Sequence, residues 1–120
     1  GGTSSNIPPF GIDYGSYRIG ENGKIVPLNF KTNMSANAAE IFTMATAIQA
    51  CEDGQKIDLH SDSRIGLSWV KKSQLPNCKP PEEISEGMKR AIIFLVGVVK
   101  GKNIKTHWRP RAQIFAIFGH

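Results

Sequence analysis

The chain has 120 residues, with 15 Lys and Arg against 10 Asp and Glu and a hydrophobic share of 40%. That length and apolar content suit one domain with a modest core and exclude an intrinsically disordered chain. The net charge of +5 fits a polyanionic partner and plain solubility equally well. The longest apolar run, Ala91 to Val99, is broken only by Gly97 and falls far short of the roughly 20 residues of a membrane span. No charged-then-apolar leader opens the sequence, so no secretory signal and no membrane partner are expected. Cys51 and Cys78 stand far apart without a C-x-x-C pair or a His at zinc-ligand spacing, so two idle thiols in a reducing compartment are expected and zinc is not.

Residues 1–9 read as a flexible or vector-derived N-terminus and are set aside; residues 10–120 read as one domain. The run Phe10-Gly-Ile-Asp-Tyr14 predicts a strand, Gly20-Glu-Asn-Gly23 a turn, and Lys24 to Phe30 a second strand, with Pro27 suited to an edge or a bulge. Asn33 or Ser35 can cap the next element. Ala36 to Cys51 holds no Gly or Pro, and Ile41, Met44, Ala45, Ile48 and Cys51 recur at helical spacing. Ile57 to His60 alternates as a strand does, Ser61-Asp62-Ser63 closes it and caps a helix over 65–72, and Gln74 to Pro81 is a proline-rich loop. Pro81-Glu-Glu-Ile predicts the start of a third helix running to about Val99, apolar on most faces after Arg90 and therefore largely buried. Ile104 to Trp108 reads as a strand, and Ala112 to Phe118 as a final short apolar element. Helices between the later strands require crossovers. The expected architecture is α/β, a mixed sheet with antiparallel first strands and helices on both faces.

Three acids stand where a surface acid has little reason to be. Asp13 lies inside the first strand, Glu40 beside the core stripe of the first helix, and Asp62 at the C-terminal end of the I-D-L-H strand, where α/β sheets place ligands. Desolvating a carboxylate costs several kcal/mol unless it is paired or binds a cation. A divalent metal makes a cluster of acids tolerable. The alternatives are local: Asp62 as a helix cap, Glu40 as a first-turn acid, and Asp13 as a turn acid before Gly15.

An acid-bearing strand before Gly15-Ser16, a helix carrying A-x-x-A-E at Ala36 to Glu40, a strand ending S-D-S at Ser61 to Ser63, then a helix and a strand ending in Trp108, resemble type 1 ribonuclease H. The likeness spans roughly residues 10–118 and is best over Ala36 to Val70. It implies the ribonuclease H-like fold and hydrolysis of the RNA strand of RNA–DNA hybrids with two Mg²⁺ (or Mn²⁺) ions about 3.5–4 Å apart. The metal ligands it implies are Asp13, Glu40 and Asp62. Substrate contacts would come from Ser16, Asn33, Asn37, Lys71, Lys72, Arg109 and Arg111. An intracellular, cytoplasmic or nucleic-acid-associated setting follows.

The sequence departs from that pattern in four ways. Tyr14 separates Asp13 from Gly15-Ser16, and in strict register it would take the catalytic place. The run Phe10 to Gly20 is also similar to the opening motif of Holliday-junction-resolvase-like members, in which the Asp of D-x-G is the ligand, and this favours Asp13. The hairpin region is short, and only the loop 74–81 stands where some members carry a basic helical handle. The last carboxylate is not found, and His120 stands near its place as a fourth catalytic candidate; the domain is read as cut short at its C-terminus or as using three acids. A resolvase-like nuclease on branched DNA, or a degenerate module that binds nucleic acid or protein without cutting, are the alternatives.

Overall fold

A computed structural model of the chain describes residues 2–4, 14–17, 26–29, 35–52, 54, 56–110 and 112–113. Three short strands, β1 (Gly2–Ser4), β2 (Tyr14–Tyr17) and β3 (Val26–Asn29), form an antiparallel sheet in that order. Gly2–Ser4, left out of the fold by the sequence reading, therefore pairs with Tyr14–Ser16. Residues 10–13 and the turn 20–23 lie outside the described residues. Pro27 faces Ser16 across the β2–β3 ladder. It sits on an edge strand of this sheet, where its missing N–H costs least.

Helix α1 (Ala36–Gln49) starts at Ser35, whose Oγ accepts a hydrogen bond from the Ala38 N–H at 3.2 Å. Strand β4 (Lys56–Ser61) leads into α2 (Arg64–Ser73), capped by Ser63, whose Oγ accepts from Gly66 N at 3.0 Å. Helix α3 (Glu86–Val99) follows, and then strand β5 (Asn103–Trp108). The expected start at Pro81 is corrected: Ser85 Oγ accepts from Met88 N at 3.3 Å and caps the helix there, so residues 82–84 form a turn. A hydroxyl that satisfies a free N–H wins over the favourable dipole interaction of Glu82 and Glu83. The final element expected at 112–118 falls outside the described residues apart from Ala112 and Gln113.

Strands β4 and β5 pair in parallel, Ile57 opposite Ile104 and His60 opposite His107. The crossover between them carries α2 and α3, as a parallel pair demands. This corrects the expectation of one mixed sheet continuing from the antiparallel strands: the described strands fall into two sheets, and the second is parallel. Each parallel strand is entered through a glycine in the left-handed region, Gly54 at φ 79° and Gly101 at φ 77°. Gly54 N–H donates to Gly101 O at 3.0 Å, which ties the two entry turns together.

The core lies between α1, α2, α3 and one face of the parallel pair. Ile41, Met44, Ala45 and Ile48 of α1 are buried with Leu67 and Val70 of α2, with Ala91, Ile92, Leu95 and Val99 of α3, and with Ile104. Ile57 and Leu59 pack against this cluster from β4. Gly66 lets α2 approach α1, since a Cβ there would come within 2.6 Å of Met44 Cε. The apolar α3 buries a stripe rather than most faces, and Ile93 is 60% exposed. Among the described residues, α1 and α2 are the elements that cover it to any extent, so its outer side meets solvent. No helix among the described residues is long and apolar enough to cross a membrane.

Candidate functional site

Glu40 is half-buried on α1, one residue before the core residue Ile41. It lines a small cleft with Thr43, Met44 and Ala47 of its own helix and Leu59, His60 and Ser61 of β4. The free space there is about 20 Å³, roughly one water. Glu40 thus shares a cleft with Ser61, the residue before Asp62. Helical periodicity places Asn37 on the same side as Glu40, one turn earlier and exposed.

The turn that carries Asp62 is held from four directions. Ser61 is buried, and its Oγ accepts from Ser63 N at 3.1 Å. Ser63 caps α2. Ser61 O accepts from Arg109 N at 2.9 Å, which extends the parallel ladder past β5. Asp62 O accepts from the Trp108 indole N–H at 3.1 Å. The Asp62 side chain is half-exposed at the strand end.

Asp62, Arg109 and the cleft that Glu40 shares with Ser61 all lie at the C-terminal end of β4. Lys71 and Lys72 do not: they are exposed at the other end of α2, about 11–12 Å along the helix from Arg64. Ser16 lies in β2, opposite Pro27. Asp13, Asn33, Arg111 and His120 lie outside the described residues. Among the described residues, no group of three His, Cys, Asp or Glu is placed to hold a metal ion. Glu40 and Asp62 carry oxygen donors of the kind Mg²⁺ or Mn²⁺ takes. Both cysteines are free and half-buried.

Sequence reasoning missed the far face of the parallel pair. Asp58, His60, Lys105 and His107 point there, away from the core, by strand alternation. The His60 and His107 rings stack at 4.6 Å and 15°, and His107 Nε2 lies 2.8 Å from Asp58 Oδ1. This hydrogen bond holds the Asp58 carboxyl below its ordinary value. Burial first, then the neighbouring His107 and Arg109, push His60 below its ordinary value. The signal was present as D-x-H and K-x-H, but reading it needs the register. Trp108 lies at the surface, 44% exposed, with the Arg64 guanidinium 4.3 Å from its ring centroid. Trp69 does pack against the core, and Lys72 lies over its ring at 4.7 Å.

Neither a protein-family model nor a curated protein sequence matches this chain.

Proposed function

We propose that the chain is a ribonuclease H-like nuclease domain that cleaves the RNA strand of RNA–DNA hybrids with a divalent metal held by Asp13, Glu40 and Asp62. The observation that carries this reading is the cleft that Glu40 shares with Ser61, the residue before Asp62, at the C-terminal end of a parallel strand. The crossover through α2 and α3 and the basic net charge add support. Bound there, Mg²⁺ or Mn²⁺ would activate water and stabilise the leaving oxygen. The chain's own part is to hold the carboxylates at a fixed separation. Ser61, Ser63 and Trp108 fix the turn of Asp62, and the buried stripe of α1 fixes Glu40.

A gel assay tests the reading with a labelled RNA–DNA hybrid, a four-way junction and a single strand, each with Mg²⁺ or Mn²⁺. Hybrid cleavage is expected for the wild type. Glu40→Gln and Asp62→Asn should reduce it to background while their unfolding free energies hold or rise, because each removes one of several repelling acids. Junction cleavage would move the substrate to branched DNA. Binding without cleavage under either metal would make this a non-cleaving module. Variants that cut as fast as the wild type would sink the assignment of the carboxylates.

A further inference from the structure

Two cation–aromatic pairs bracket α2. At its start, Arg64 lies over Trp108; at its end, Lys72 lies over Trp69. The helix runs back along β5: Gln74 Oε1 accepts from Ile104 N at 3.2 Å, while Arg64 meets Trp108 four residues further along the strand. The pairs are therefore separated by about 12 Å of helix. Arg64, Lys71 and Lys72 are all exposed, and no acid occurs anywhere in α2. Arg64 and Lys71 are seven residues apart and share one side of the helix. Neither tryptophan is spent wholly on the core. Trp108 has committed its N–H to Asp62 O, so its ring is fixed in orientation, with the Arg64 guanidinium over one face.

We propose that the exposed side of α2 together with Trp108 is a sequence-tolerant binding track for one nucleic-acid strand: Arg64, Lys71 and Lys72 neutralise phosphates, and Trp108 is a stacking platform for a base. Cations alone would suit any polyanion. An exposed, oriented ring among them suits a strand with bases to stack, which an acidic peptide lacks. The track begins at the Asp62 turn, so it would lead a strand to the candidate site. The inference deepens the nucleic-acid part of the function proposed above and does not need cleavage to be real.

The test is fluorescence anisotropy in EDTA, which separates binding from metal-dependent cutting. The probes are a 5′-fluorescein single-stranded DNA of 16 nucleotides and the RNA–DNA hybrid of the same sequence, titrated over a range of NaCl. Arg64→Gln should lower the slope of log Kd against log salt by about 0.7 on the single strand, and Lys71→Gln/Lys72→Gln by about twice that. Trp108→Ala should weaken binding on the order of tenfold with the slope unchanged, and Trp108→Phe should keep most of the affinity. Lys105→Gln, on the opposite side of the parallel pair, removes the same charge and should leave the slope unchanged. Thermal melts check folding. Should Trp108→Ala fail to fold, the exposed lysine and arginine variants still decide. Slopes that stay at the wild-type value, or that fall equally in Lys105→Gln, overturn the track. Displacement of the probe by poly-glutamate at equal charge concentration also overturns it, in favour of an acidic protein partner. Absence of cleavage together with the expected slopes would remove the nuclease reading and leave the track standing.

Discussion

The two sides of the β4–β5 pair are made from the same two six-residue strands and have opposite chemistry. The inner side presents Ile57, Leu59, buried Ser61 and Ile104 to the helices. The outer side presents Asp58, His60, Lys105 and His107. Alternation along each strand creates the two sides, and the parallel register then matches like with like: isoleucine opposite isoleucine, histidine opposite histidine. A one-residue slip would drive Asp58 and His60 into the core. The apolar side thus fixes the register, and the titratable side inherits its geometry from it.

The sharpest way to break this contrast is to empty the inner side. Ile104→Ala, or Leu95→Ala in the same buried cluster, should cost about 2–5 kcal/mol of unfolding free energy. Urea unfolding at constant m-value measures it. Lys105→Ala, one residue along the same strand, should stay within about 0.5 kcal/mol of the wild type. Equal losses at residues 104 and 105 would mean that both sides are covered.

Next in size is the device that seats α2 on the inner side. Ser63→Ala leaves the Gly66 N–H without its cap and should cost about 1 kcal/mol. Ser63→Asp should restore most of that loss, because a carboxylate accepts the same hydrogen bond and suits the helix dipole. A smaller but separate consequence is expected at the strand end, where loss of the cap loosens the Asp62 turn. In the cleavage assay, Ser63→Ala should then require more Mg²⁺ for half-maximal rate than Ser63→Asp does.

Much of this arrangement was legible beforehand, for physical reasons that differ by element. Helix α1 was readable because its apolar residues recur at 3.6-residue spacing without a breaker, and its boundary came within two residues. Strands β4 and β5 were readable by alternation, each within one residue of its start. The start of α3 was not, because Pro81 with two acids and Ser85 offer competing start signals four residues apart, and the choice rests on which N–H groups find an acceptor. Separation into two sheets was not legible either, because pairing between distant strands leaves no local mark. Glu40 and Asp62 stand out in the sequence because one lies beside an apolar helical stripe and the other directly follows a strand. His60 and His107 were passed over because each alone is an ordinary polar strand residue, and only the register makes them a stacked pair. The size of a tryptophan favours the core, yet the Trp108 indole N–H finds its acceptor at the surface turn.

The smallest expected effect sharpens the contrast most, because it depends on pH on one side only. His60 titrates below its ordinary 6.5 in the folded chain, chiefly through burial. Between its folded value and 6.5 the unfolded chain binds more protons than the folded one, so stability rises with pH in that window and is lost on acidification through it. Asp58 shifts in the same direction from 3.8, because the hydrogen bond from His107 favours the carboxylate. Its contribution is present above about that pH and is lost as pH falls below it. Both effects work against the folded chain in acid, His60 first and Asp58 later. His107→Gln should raise the Asp58 midpoint towards 3.8 and the His60 midpoint towards 6.5, since it removes the hydrogen-bonding imidazole from one and a like charge from the other. Proton and carbon NMR titrations of the two residues read both midpoints directly. The deficit of Ile104→Ala, in contrast, should vary less with pH, since Ile104 sits in a cluster of apolar side chains. A His60 midpoint above 6.5 in the wild type would mean that a carboxylate governs it rather than burial, and the outer side would then be stabilised by acid instead of weakened.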